Sequence, residues 1–255
     1  MKSPSLPARV RRALLRRLPL PVVGWATRAA AALQDQLDEV RAQPHRVLVE
    51  TTARALGLSH ASRLGSAMDV LQTAIDLADN LADRQADAES GRGYTRHYAR
   101  IPEPALLCLP ALLVGGAVQI VHEAFPEPDY ASRMAGQRLL RVLADMAVGQ
   151  GVPAGSSRRI ALVSGKQGLL LCLPFWLLAR QDSPWRARLR MVETWAYCFG
   201  RTWELRQMQT EQPVAGTSRA LARALTETRR TWPGFSPFRT GEVLSPALLG
   251  PPCLC

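Results

Sequence analysis

The chain has 255 residues, of which 47% are hydrophobic and 21% are charged, and its formal net charge is +11. These values are ordinary for a globular protein, and a chain of this length can bury a sizeable core without disulfide or metal staples. Its five cysteines are odd in number and form no CxxC pair, which argues against a disulfide framework and a zinc site. A reducing, cytoplasmic location is therefore expected.

The positive charge favours anionic partners, whether nucleic acid, a membrane surface or phosphorylated small molecules. Of the 32 basic residues only Lys2 and Lys166 are lysines. A composition bias that replaces lysine by arginine explains why almost all basic residues are arginines. The single internal lysine, Lys166, then indicates a position that needs the compact charge of an ammonium group rather than a planar guanidinium.

The hydrophobic pattern is helical almost throughout, with no convincing alternation of strand type. Prolines and glycines separate eight predicted helices. They lie near 26–42, 45–57, 60–86, 104–125, 129–149, 156–180, 185–211 and 217–231. We therefore predict an all-α, single-domain helical bundle.

Three segments define the predicted domain organisation. Residues 1–25 form a basic N-terminal arm or surface helix, because two prolines interrupt its apolar part and argue against a signal peptide. Residues 26–232 form the helical domain, and 233–255 form an irregular tail rich in Pro and Gly. The uncharged run 105–121 is short for a membrane span and contains Pro110, so we expect a buried core helix there.

One helix face is acidic. Asp76, Asp79, Asp83 and Asp87 fall within about 80° of one another on a helix of 100° per residue. Like charges one turn apart repel each other, and a divalent cation would relieve the repulsion. A solvated surface face would also tolerate it, so spacing alone leaves both readings open.

The segment 71–83, which reads LQTAIDLADNLAD, resembles the first Asp-rich motif of the trans-isoprenyl diphosphate synthases. The resemblance implies that Asp79 and Asp83 bind magnesium against an allylic diphosphate. Asp76 lies one turn earlier and is a candidate either for the same metal site or for a water network. Asn80 replaces the second aspartate of that motif. Gln72 stands where the family has a histidine near the isopentenyl diphosphate.

Further matches follow in the family's order. The segment 144–151, ADMAVGQG, is similar to a helix that ends in Gly-Gln, which makes Gln150 a candidate diphosphate ligand. The segment 164–170, SGKQGLL, resembles the one whose lysine binds the allylic diphosphate, and Lys166 takes that role. Arg46 and Arg92 are what remains of two groups of basic residues that bind diphosphate in the family.

The second Asp-rich motif is the main departure from the family. The segment 200–211, GRTWELRQMQTE, has none of its three aspartates. Glu204 and Glu211 share a helix face with Gln207 and are candidate substitute magnesium ligands. The alternative is that they are ordinary surface charges near Arg201 and Arg206.

The resemblance implies a magnesium-dependent prenyltransferase that condenses an allylic diphosphate with isopentenyl diphosphate. It also implies a homodimer, or a heterodimer with another prenyl synthase subunit. A catalytically silent partner subunit is the alternative, because the second motif is lost. A third hypothesis, that the chain is a basic helical protein that binds nucleic acid or a membrane surface, is supported by its charge alone. We expect no nucleic-acid partner, and association with a membrane surface stays open.

Overall fold

The fold is described from a computed structural model of the chain. The described residues are 4–36, 44–58, 60–86, 97–125, 133–134, 136–141, 144, 148, 152, 156–181, 185–211 and 215–231. No strand occurs among them, which confirms the all-α prediction. The chain divides into two compact units, Met1–Ser132 and Arg133–Cys255, and each is described by itself.

The first unit consists of helices around a long central one. Its elements are α1 (Leu6–Leu14), α2 (Leu20–Gln36), α3 (Pro44–Leu56), α4 (Ala61–Ala86), a 3-10 turn (Tyr98–Arg100) and α5 (Glu103–Ala124). The last three α-helices lie within one residue of their predicted bounds. The start of α2 was predicted wrongly at residue 26, because a proline such as Pro21 is tolerated in the first turn of a helix.

The described part of the predicted N-terminal arm, from residue 4 onward, packs more closely than a surface arm would. Helix α1 contacts α2 and α4, and Leu6, Val10 and Leu14 on its apolar face are fully buried. Arg11 and Arg12 are exposed on the opposite face. The boundary at residue 25 stays a prediction, but the described part of this segment contributes to the core of the first unit.

Helix α4 forms the centre of the first unit. It packs against α3, α5, α1 and α2, and its apolar side chains, such as Leu64, Met68 and Leu71, are at most 1% exposed. Asp69 is equally buried, at 1% exposed. A buried carboxylate in an apolar helix requires partners, and these are described below.

Helix α5 is buried along one face only. It places Leu109, Leu113 and Ile120 in the core, whereas Leu107 is 60% exposed and Leu112 39%. The prediction of a buried core helix therefore holds for one face of α5 and not for the face that carries Leu107 and Leu112. By length and composition alone, α5 and the segment Ser157–Ala179 are each apolar enough to cross a membrane, a test that the core helix of a bundle also passes.

The second unit contains α6 (Ser157–Gln181), α7 (Arg186–Glu211) and α8 (Ala215–Arg230), each within two residues of its prediction. The described residues between 133 and 148 are helical, and the rest of the helix predicted at 129–149 lies outside the described part of the chain. The tail 233–255 lies outside it as well. Its predicted boundary stays untested.

Helices α6 and α7 are antiparallel and touch backbone to backbone. A Cβ atom at Gly200 would lie 2.5 Å from the carbonyl oxygen of Gln167, and one at Gly168 would lie 2.7 Å from that of Tyr197. On α7 itself, the rings of Trp195 and Phe199 stack with their centroids 5.0 Å apart. Both are at most 1% exposed, as expected for core residues.

Candidate functional site

The carboxylates singled out from the sequence lie toward the C-terminal end of α4. Asp76 and Asp79 are half-buried, in contrast to the buried Asp69 two to three turns earlier. Asp83 belongs to the same helix, but its side chain lies outside the described residues. The structure therefore places two of the three magnesium ligands predicted on α4 on adjacent turns of that helix.

Asn80, the residue that follows Asp79 on α4, joins two side chains. Its amide nitrogen donates to Oδ2 of Asp76 at 3.2 Å and lies 3.0 Å from the hydroxyl oxygen of Tyr98. Burial raises the pKa of Tyr98, and the nearby Asp76 carboxylate raises it further. Tyr98 is therefore a neutral phenol at physiological pH. Sequence reasoning missed it, because it lies 18 residues away from Asn80.

These residues provide the donor set that magnesium prefers. The ion usually takes one or two protein carboxylates and completes its octahedron with water and phosphate oxygens. Asp76 and Asp79 supply two carboxylates on adjacent turns of α4. No group of three ligating side chains occurs within the described ranges. The donors fit a magnesium ion that a diphosphate helps to hold.

Gln72 is held by a buried histidine. The Nδ1 atom of His45 lies 3.0 Å from Oε1 of Gln72, and burial lowers the pKa of His45 to about 4. The neutral ring therefore donates from Nδ1, and the Gln72 oxygen accepts. The amide nitrogen of Gln72 is the atom left to donate to a diphosphate. That predicted role stays a prediction.

Arg46 is bound to carboxylates of its own unit. Its guanidinium donates to Asp69 at 2.8 Å and to Glu50 at 2.6 Å. Asp69 lies ten residues before Asp79, which corresponds to about 15 Å along the axis of α4. The structure therefore does not bring Arg46 to the Asp79 end of the helix, and two carboxylates already compensate its charge.

Asp69 is the partner that sequence reasoning missed. It binds Arg46 and also Nε of Arg9 at 2.9 Å, and the side chain of Arg9 is 4% exposed. The sequence contains one indication of it, since Asp69 and Asp76 are seven residues apart and therefore lie on the same face of α4. Nothing in the pattern distinguished a buried ion pair from a site ligand.

In the second unit, Lys166 lies on α6 and is 7% exposed. Gln167, the next residue on α6, contacts Gly200 of α7. Because the two helices are antiparallel, Glu204 lies within about one helical turn of Lys166, measured along the helix axes. Arg201 pairs with Glu227 of α8 at 3.4 Å. This ion pair links α7 to α8, and the alternative that Glu204 is an ordinary helix-face charge stays open.

Several predicted site residues cannot be placed. Arg92 and Gln150 lie outside the described residues, and so does the side chain of Glu211 at the end of α7. Their roles stay predictions.

Two solved structures are similar to this chain. The geranylgeranyl pyrophosphate synthetase of the archaeon Geoglobus acetivorans is 15% identical, with a TM-score of 0.58 over 88% of each chain. An FPP/GFPP synthase of Zymomonas mobilis, in its apo structure, is 14% identical, with a TM-score of 0.57 over 88% of this chain and 90% of its own. No protein-family model and no curated protein sequence matches the chain. At these identities the likeness shows the fold: the chain has the fold of the prenyl synthases.

Proposed function

We propose that the chain is a magnesium-dependent prenyltransferase that condenses an allylic diphosphate with isopentenyl diphosphate. The observation that carries the proposal is the fold shared with two prenyl synthases over 88% of the chain, in which α4 carries Asp76 and Asp79 half-buried on adjacent turns. The order of the motifs along the sequence supports the same conclusion.

The chemistry requires a site that stabilises negative charge rather than a protein nucleophile. The allylic carbon–oxygen bond breaks, the alkene of isopentenyl diphosphate attacks the cation, and a proton leaves the product. Asp79 and Asp83, with Asp76, would hold magnesium, which when bound offsets the charge that develops on the leaving diphosphate. Lys166 would bind diphosphate oxygens as a point charge.

The remaining polar residues have supporting roles in this proposal. Gln72 would donate its amide hydrogens to the isopentenyl diphosphate, and Gln150 and Arg92 would bind phosphate oxygens. Glu204 and Glu211 would replace the lost second Asp-rich motif as magnesium ligands. Arg46 would contribute only if it exchanged a carboxylate for a phosphate, since Asp69 and Glu50 hold it.

The proposal predicts that turnover depends on Asp79. We expect Asp79→Ala to lower the rate of condensation at least about a hundredfold, because a direct magnesium ligand is lost. Its matched control is Asp35→Ala, which removes a 55% exposed carboxylate from α2 of the same unit. Incorporation of labelled isopentenyl diphosphate measures both rates. Equal loss in the two variants would contradict a role for Asp79.

The substitute ligands are tested separately. We expect the double variant Glu204→Ala/Glu211→Ala to need about ten- to a hundredfold more magnesium for half-maximal turnover. Glu227→Ala, which removes a carboxylate bound to Arg201, is the control and should leave the magnesium requirement unchanged. An unchanged requirement in the double variant would remove both glutamates from the proposed site.

A second candidate function is a catalytically silent subunit of a heteromeric prenyl synthase. The specific observation in its favour is that Asn80, at a motif position, is committed to hydrogen bonds with Asp76 and Tyr98. Mixing the chain with a prenyl synthase subunit that keeps both Asp-rich motifs tests it. A stable complex with altered product length, and no turnover by the chain alone, would favour this candidate over the enzyme.

A further inference from the structure

A basic cavity of about 240 Å³ lies in the first unit, away from the Asp79 end of α4. Five arginines line it: Arg9, Arg12, Arg17, Arg46 and Arg63. Ser62 and Ser66, in the first two turns of α4, supply hydroxyl groups. Arginines and small hydroxyl side chains are the residues with which proteins bind phosphate.

The base of the cavity is fixed by a buried ion pair. Arg9 is 5% exposed and donates to Asp69, which is 1% exposed and also binds Arg46. One buried carboxylate thus holds two guanidinium groups from two different helices. These arginines are positioned before any ligand binds, which lowers the entropy cost of binding.

The rim of the cavity carries three arginines, Arg12, Arg17 and Arg63, and the carboxylate described beside them is that of Glu123. Arg17 donates to the carboxylate of Glu123, and Arg63 donates to the backbone carbonyl of the same residue at 2.8 Å. Arg12 makes no hydrogen bond or ion pair with any residue that the structure describes, and it is exposed on α1. Carboxylates therefore neutralise only part of the charge that faces the cavity.

The cavity is separate from the proposed magnesium site. Ser66 precedes Asp79 by thirteen residues on α4, which corresponds to about 20 Å along the helix axis. A ligand in the cavity therefore would not touch Asp76 or Asp79. The cavity also requires no metal, since its lining groups are cationic.

We propose that this cavity is a second anion site, which binds the phosphate group of a phosphate ester through Arg12 and Arg63 above the buried pair of Arg9 and Asp69. The phosphate belongs to a soluble metabolite or to a lipid headgroup. Leu15 and Leu20, which are 44% and 71% exposed next to α1, are placed to touch acyl chains if the ligand is a lipid.

The test measures binding of two phosphate probes to the full chain. EDTA is present throughout, so that no probe binds through magnesium. The soluble probe is pyrophosphate, followed by calorimetry. The lipid probe is phosphatidylcholine vesicles with and without phosphatidic acid, followed by sedimentation. The key variant is Arg12→Gln. Its matched control is Arg11→Gln, which removes the same charge from an exposed neighbour that does not line the cavity.

We expect Arg12→Gln and Arg63→Gln each to weaken binding about tenfold and Arg11→Gln less than twofold, because only the first two would lose a charge-assisted hydrogen bond. Binding of pyrophosphate with this pattern assigns the site to soluble phosphates. Binding only to vesicles with phosphatidic acid, with the same pattern, assigns it to headgroups. No binding in either arm, or equal losses in Arg11→Gln and Arg12→Gln, would overturn the site.

Discussion

Asn80 links the polar side chains at the end of α4. Its amide nitrogen donates to Asp76 and to the hydroxyl oxygen of Tyr98. An aspartate at this position would lose the hydrogen bond to Asp76 and add a negative charge one turn away from it. The neutral amide therefore lowers the electrostatic repulsion on this acidic face.

The added charge determines how Asn80→Asp is expected to behave. Without metal we expect the variant to lose about 1–2 kcal/mol of stability, because a hydrogen bond is lost and a carboxylate one turn from Asp76 is gained. Magnesium should restore much of this loss. Urea unfolding in EDTA and in magnesium measures it, and Asn80→Ala, which gains no charge, should show no such recovery. Wild-type stability of Asn80→Asp in EDTA would contradict the account.

His45 makes stability depend on pH. Its pKa is lowered from 6.5 to about 4 because the ring is buried, so the unfolded chain binds the proton first as pH falls. Stability is therefore fully present above pH 6.5 and is lost as pH falls toward 4, by about 3 kcal/mol at most.

The corresponding variant is His45→Asn, which is expected to flatten this part of the pH profile of unfolding free energy. His97→Asn is the control, because that histidine contacts the exposed Asp35 at the surface. Chemical denaturation between pH 4 and 7 gives the profile. An unchanged slope in His45→Asn would show that another group causes it.

At the scale of elements, the repeat of apolar residues predicted the bounds of α3, α4 and α5 to within one residue. It could not predict that α1 docks through Arg9 and Asp69, which are 60 residues apart in the chain. Periodicity identifies the face that is buried. It carries no information about which charged side chains meet once several helices have packed together.

The crossing of α6 and α7 depends on two glycines. We expect Gly200→Ala and Gly168→Ala each to destabilise the protein by about 1–3 kcal/mol, because the new Cβ would overlap the facing backbone. Gly165→Ala on α6 is the control. Nothing lies within 4 Å of its Cβ position, so it should stabilise the helix by about 0.5–1 kcal/mol. Thermal unfolding compares the three, and a Gly200→Ala variant as stable as Gly165→Ala would refute the close crossing.

At the scale of the whole molecule, the order of the motifs predicted the fold, and the likeness to two solved prenyl synthases confirms that fold. The site was predicted less completely. Asp79 and Lys166 were predicted as site residues because each is unusual for its surroundings, an acid in a basic chain and a lysine among arginines. Their roles stay predictions. Tyr98, Asp69 and the basic cavity were missed because each depends on contacts between distant segments.

The central claim is tested most directly by incubating the purified chain with labelled isopentenyl diphosphate, a panel of allylic diphosphates and magnesium. The account predicts extractable prenyl product with at least one allylic partner, which disappears in EDTA and in Lys166→Ala. A folded, helical protein that forms no product with any partner would contradict the assignment as an enzyme. That result would leave the silent-subunit function as the one to pursue.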